Sequence, residues 1–208
     1  MDIFNMIFKR AFFVTVICFG CSQIQAQYNF KAAVVGGFTL AQIDGDGLLG
    51  YDKVGISTGL KLNYDIVEKW GANMELLYSQ RGSQAGFLKS GDEIQRTHLD
   101  YLEIPVYMTI NDWWIEGDDY FKIKAHAGLS YGYMMNITSG NGVFEEDIDN
   151  FNRSDISGLV GVSYAINNKW SFTARFTRAF TKLFKSNNLV NTDTLVSYFW
   201  TLRMEYNI

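Results

Sequence analysis

Eight runs of period-two alternation, connections that alternate between short and long, and aromatic side chains sorted toward the ends of those runs together predict an all-β chain. The fold they define is an eight-stranded antiparallel up-and-down transmembrane β-barrel, apolar outside and polar within. Aromatics make up 16% of the 208 residues, with 19 glycines and a single proline, which suits long strands joined by glycine-bearing turns.

Residues 1–26 read as a secretory signal peptide and residues 27–208 as one barrel domain. Lys9 and Arg10 precede an apolar run from Ala11 to Gly20, and Ile24-Gln25-Ala26 leads into Gln27. The apolar run is too short to span a bilayer as a helix. Cys18 and Cys21 both lie in this segment, and the residues before Cys21 lack the flanks of a lipid-attachment site. The cleaved chain would carry no cysteine, which excludes disulfides and thiolate metal sites. Cleavage would also remove Asp2, Lys9 and Arg10, one acid and two bases, taking the net charge from −4 to about −5. A mildly acidic exported chain argues against nucleic acid as a partner.

The first strand carries Tyr28, Phe30, Ala32, Val34 and Phe38 on one face, and a Gly- and Asp-rich loop over 41–53 follows. Strands two and three form the hairpin from Val54 to Arg81. Val54, Ile56, Leu60, Leu62 and Ile66 alternate with Gly55, Ser57, Gly59, Lys61 and Asp65, and after a tight turn Trp70, Ala72, Met74 and Leu76 alternate with Gly71, Asn73, Glu75 and Leu77. A polar loop over 82–96 leads to strand four, where Leu102 to Ile110 alternate with Glu103 to Thr109. Strand five sets Phe121, Ile123, Ala125, Ala127 and Leu129 against Lys122, Lys124, His126 and Gly128. After a loop containing the acidic run 145–149, strand six offers Ile156, Val160, Val162 and Tyr164. Asn167-Asn168-Lys169 turns into strand seven, with Trp170, Phe172 and Phe176 opposite Ser171, Thr173 and Arg175. Strand eight alternates Val196, Tyr198, Trp200, Leu202, Met204 and Tyr206 with Ser197, Phe199, Thr201, Arg203 and Glu205.

Connections after strands two and six are short, that after four is intermediate, and those after one, three, five and seven are long. Outer-membrane barrels show this asymmetry, with short periplasmic turns and longer external loops. Tyr28, Tyr64, Trp70, Trp170 and Tyr206 fall at the short-turn side as an inner-interface belt, with Trp113 and Trp114 placed in the turn after strand four. Phe38, Tyr78, Tyr101, Tyr133 and Phe180 fall toward the long loops. Closure of the sheet also removes the open edges that eight long strands would otherwise expose.

The polar face carries Lys31, Lys61, Asp65, Glu75, Glu103, Lys122, Lys124, Arg175, Arg203 and Glu205. An eight-stranded interior is about wide enough for its side chains to fill, so these charges form a structural network of ion pairs. Two other readings stand beside that one. A narrow pore would use the same charges as a solute path, although near-balanced opposite charges pair rather than conduct. A lipid-modifying barrel enzyme would need His126, the one plausible base, with Ser130 or Glu75 across the lumen. Asp44-Gly45-Asp46-Gly47 begins like a calcium loop but lacks the later ligands, so a turn is expected. No cofactor, metal or catalytic residue is assigned.

Several segments resemble the PorT-like family of outer-membrane β-barrel proteins. They are Gly36-Gly37-Phe38-Thr39, Lys53-Val54-Gly55, the run from Glu75 to Ser83, Tyr101-Leu102-Glu103-Ile104-Pro105-Val106, Ala127 to Gly132, and Ala174-Arg175-Phe176. The resemblance covers nearly the whole mature chain and implies an eight-stranded outer-membrane barrel, in a family named for a member implicated in type IX protein secretion. The chain departs from many such barrels at its end, Tyr206-Asn207-Ile208, where a terminal aromatic would aid the insertion machinery. The expected function is that of a small, non-enzymatic outer-membrane barrel acting through external loops or as an accessory in an envelope complex. Its expected partners are outer-membrane lipid and lipopolysaccharide, the barrel-insertion machinery, and other envelope or secretion proteins.

Overall fold

The computed structural model describes residues 30–44, 53–84, 96–140, 151–183 and 195–208. The signal segment with its two cysteines, Tyr28, most of the Asp-Gly loop and the acidic run at 145–149 lie outside the described residues. The chain divides into two units, residues 1–30 and 31–208, and the barrel is the second.

The strands are β1 (Phe30–Asp44), β2 (Lys53–Val67), β3 (Trp70–Gln84), β4 (Arg96–Ile115), β5 (Tyr120–Gly140), β6 (Ser154–Ala165), β7 (Trp170–Ala179) and β8 (Val196–Asn207). They run in chain order around a closed barrel, and β1 pairs antiparallel with β8 from Ala33↔Asn207 to Asp44↔Val196. The barrel is therefore eight-stranded and antiparallel, with no free edge to template aggregation.

Alternation sets the inside and the outside. Leu60 and Val160 are 57% and 55% exposed, whereas Glu75 and Arg203 are 2% and 3% exposed. Leu62, Met74, Val106, Leu129, Val162, Phe172 and Leu202 share the exposed face, and Ser57, Asn73, Thr109, His126, Ser163, Thr173 and Thr201 share the buried one. A water-soluble domain does not present so continuous an apolar surface around a polar interior; a hydrocarbon solvent requires it.

Two boundaries differ from the pattern expected of the sequence. β4 and β5 pair as far as Trp114↔Phe121 and Ile115↔Tyr120, so the connection after β4 is a short turn over 116–119, and both tryptophans lie within the strand. Trp113 sits at φ 59°, a left-handed conformation uncommon for a bulky residue, and this kink breaks the alternation so that Trp113 and its neighbour Trp114 both stay exposed. All three inter-strand turns at that end are thus short (68–69, 116–119 and 166–169), and all four connections at the other end are long. Tyr101 also differs: it points inward and is fully buried, so it does not join the exposed aromatics near the long connections.

Replacing Val160 with Arg would set a charge near the middle of the apolar band. The expected loss is about 2–4 kcal/mol of folding stability, read by urea titration of the barrel in lipid vesicles. An unchanged midpoint would mean that this face does not meet hydrocarbon.

Candidate functional site

The lumen is organised around Glu75 on β3. Arg175 from β7 grips its carboxylate with both terminal nitrogens, at 2.9 and 3.1 Å, and Arg203 from β8 does the same at 2.9 and 2.5 Å. The Tyr107 hydroxyl on β4 donates to the same carboxylate. Fork-shaped guanidinium donors satisfy both oxygens in fixed geometry, which a lysine could not do.

Arg203 then ties this centre to a second carboxylate, its Nε donating to Glu205 Oε1 at 3.1 Å. Lys61 Nζ on β2 holds the other oxygen of Glu205 at 2.7 Å, and Thr173 Oγ1 donates to Oε1 at 2.7 Å. Lys61, Glu75, Tyr107, Thr173, Arg175, Arg203 and Glu205 thus join five strands by side chain alone, which no ladder of neighbouring strands achieves. His126 on β5 accepts from Arg175 Nε at 3.3 Å, and its ring lies 5.1 Å from that of Tyr107. Missing side chains make the fit. A Cβ on Gly161 would stand 2.5 Å from His126 Nε2, and one on Gly128 would stand 2.4 Å from Tyr107 Cβ.

A second ionic layer lies toward the long connections. Arg81 is fully buried; its Nε donates to Glu103 at 3.0 Å and its Nη1 to Asp155 at 2.9 Å. Its guanidinium is sandwiched between the rings of Tyr101 and Phe199, 4.3 and 4.2 Å from their centroids. Neither Arg81 nor Asp155 stands among the lumen charges expected from the sequence. Both sit near strand ends, where the alternating pattern blends into polar loop composition, although the inward parity of Arg81 with Ser79 and Leu77 was available as a signal. Above this layer Ile43, Leu99, Tyr101, Met134, Phe151, Leu183 and Leu195 form an apolar cluster. Between the two layers a cavity of about 10 Å³ is lined in part by Ser79, Ser130, Glu103, Arg175 and Arg203, room for roughly one water.

The other expected lumen residues fall elsewhere. Lys124 is half-buried in the lumen toward the short turns, and no ion pair holds it among the described residues. Lys122 departs from the lumen network: its ammonium lies 5.1 Å from the Trp113 ring and 5.6 Å from that of Tyr164. It stands near the short-turn end of β5, where those outward rings are within reach and the Glu75 cluster is not. Lys31 and Asp65 pair at 2.9 Å as a more exposed rim contact. Tyr64, Trp70 and Trp170 are exposed near the short turns, and Tyr206 packs its ring 4.8 Å from that of Trp170. His98 lies on the outward face within hydrogen-bond distance of Asp100, at 3.1 Å. Among the described residues no group of three His, Cys, Asp or Glu side chains could hold a metal ion.

A closed sheet with apolar side chains outside and ion pairs within defines an integral β-barrel membrane protein. The chain belongs to the family described as outer membrane protein beta-barrel domain, whose sequence model matches residues 22–185. It is accordingly a small outer-membrane protein. Neisserial surface protein A is similar in structure, with a TM-score of 0.51 at 13% identity, covering 86% of this chain and 97% of that one. The attachment invasion locus protein Ail of Yersinia pestis gives 0.48 at 13% identity over 86% and 99% of the two chains. OprG of Pseudomonas aeruginosa gives 0.42 at 14% identity over 86% and 96%. At such identities the likeness to the neisserial protein speaks for the fold alone. No curated protein matches the chain.

Truncating Glu75 to Ala would strand Arg175 in a water-poor lumen and take from Arg203 one of its two carboxylates, and the expected cost is about 3–5 kcal/mol. The double variant Glu75→Ala/Arg175→Ala should lose less than Glu75→Ala alone, because one unpaired charge leaves with its partner. Urea unfolding in detergent micelles reads both. A double variant weaker than the single would show that Arg175 is stabilised by something other than Glu75.

Proposed function

We propose that the protein is a non-enzymatic integral component of the outer membrane, exported by the signal at residues 1–26 and oriented with its long connections outside. It acts through that external end, or as an accessory subunit of an envelope complex. The resemblance to PorT-like proteins makes a type IX secretion assembly the first complex to test. Outer-membrane lipid and lipopolysaccharide surround its apolar band, and the barrel-insertion machinery meets it during biogenesis.

One observation carries this reading. The lumen is crossed by the Glu75 and Arg81 ionic layers and capped by the apolar cluster around Leu99. Opposite charges held at hydrogen-bond distance leave no continuous wet path for a solute, which weighs against a pore. The same packing weighs against lipid chemistry. His126 Nε2 already accepts from Arg175, and among the described residues no serine hydroxyl hydrogen-bonds its ring, which weighs against an assembled nucleophile and base.

Two measurements test the proposal. In planar bilayers the protein should be electrically silent, and steady conductance from the unaltered protein would overturn the plug. Cells carrying His126→Ala should keep their phospholipid and lipid A profile, and a changed profile would favour the enzyme instead. Purification in mild detergent with mass spectrometry of the retained proteins then identifies the complex.

A further inference from the structure

Arg178 closes the outward face of β7, and Phe180 and Lys182 follow just past the strand's last residue, Ala179, keeping the same alternation of exposure. All three are exposed, and Phe180 is 67% exposed. Arg153 is also exposed, next to Asn152, which bonds the backbone at Lys182 and Leu183. The Phe180 amide donates to Ile156 O at 2.8 Å, the Thr181 hydroxyl accepts from Ile156 N at 3.1 Å, and Asn152 Nδ2 donates to Lys182 O at 2.9 Å. None of the three cations has an ion-pair partner among the described residues. The Phe180 ring lies against the barrel wall over Gly158, where a Cβ would come within 2.5 Å of its Cζ. It forms a flat shelf between Arg178 and Lys182.

The height of this group identifies what it faces. Trp170 marks the short-turn end of the same strand and packs beside Tyr206. From Trp170 to Arg178 is eight residues, ~27 Å along the strand and ~20 Å along the membrane normal at a tilt of 35–45°. Against an apolar band ~25 Å tall, Arg178 stands just inside the edge. Phe180 and Lys182 follow it past the strand's end, and Arg153 lies across from them, so the group sits at the edge of the band. An outward residue at that depth meets lipid headgroups. The turns at the opposite end carry Glu68, Lys69, Glu116, Asp118, Asp119 and Lys169, an acidic balance that sets that end apart from the cationic patch.

We propose that Arg178, Lys182 and Arg153, with Phe180 between them, form a binding site for a phosphorylated glycolipid of the outer leaflet. The guanidinium and ammonium groups hold its phosphates, and the flat ring supports a sugar face. The proposal rests on the orientation given above, with the long connections outside.

The probe is purified lipopolysaccharide added to the full-length protein in mild detergent, with retained glycolipid counted by native mass spectrometry. The unaltered protein should retain it. Arg153→Gln/Arg178→Gln/Lys182→Gln should retain roughly tenfold less, and Phe180→Ala should fall between the two. A Lys69→Gln/Lys169→Gln variant, altered at the other end, should match the unaltered protein. Dephosphorylated glycolipid should bind weakly, and the Arg153, Arg178 and Lys182 substitutions should make no further difference to it. Folding of each variant is checked by its heat-modifiable gel mobility, and if Arg178→Gln misfolds, Arg153→Gln/Lys182→Gln carries the test. Equal retention by the folded cation variants would overturn the site, as would equal loss from Lys69→Gln/Lys169→Gln. Displacement by phosphatidylglycerol at matched concentration would overturn the commitment to a glycolipid. Orientation fails separately: Thr138→Cys, at an exposed position on the long-connection end of β5, should react with an impermeant maleimide on intact cells, and lack of labelling with retention intact would overturn the outer-leaflet assignment.

Discussion

A carboxylate in the middle of a narrow lumen has no bulk water to solvate it, and at Glu75 the protein supplies the solvation itself. Two guanidinium forks from the adjacent β7 and β8 and a phenol from β4 surround it. The cluster is held together because each member would be costly without the others. Arg203 needs both Glu75 and Glu205, and Glu205 in turn accepts from Lys61 and Thr173. Strand ladders bind each strand only to its neighbours; this cluster binds strands across the interior and fixes the barrel's cross-section from within.

The outer half of the barrel repeats the solution with different chemistry. Arg81 has two carboxylates and two aromatic faces, and above it the lumen turns apolar. The transition follows depth. Ion pairs fill the lumen at the level of the lipid band, where the outside is apolar and the inside is the one place for polar groups. Toward the long connections the outside meets headgroups, and the inside can afford a hydrophobic core like that of a soluble domain. The exposed surface shows the complementary change, from Val160 and Phe172 within the band to Arg178 and Lys182 at its outer edge.

This arrangement leaves the wall and the ends as the places where the protein meets anything else. The Glu75 and Arg81 clusters are each internally paired, and the cavity between them has room for roughly one water. The surfaces left are the lipid-facing wall, the belt near the short turns, and the long connections that follow β1, β3, β5 and β7.

The sequence by itself determined the strand count, the antiparallel order, which face of each strand meets lipid, and most of the lumen charges, because a period of two records the two solvents residue by residue. Lys61, Glu75, Glu103, Arg175, Arg203 and Glu205 were legible in that way. Sequence alone could not say which charges meet. That Arg175 and Arg203 converge on Glu75 depends on the stagger of the closed sheet, which brings β3, β7 and β8 to one height. Closure likewise decided that Lys122 leaves the network for Trp113, that Tyr101 turns inward onto Arg81, and that β4 runs through both tryptophans. Those outcomes follow from contacts between residues far apart in the chain, which a local alternation pattern does not encode.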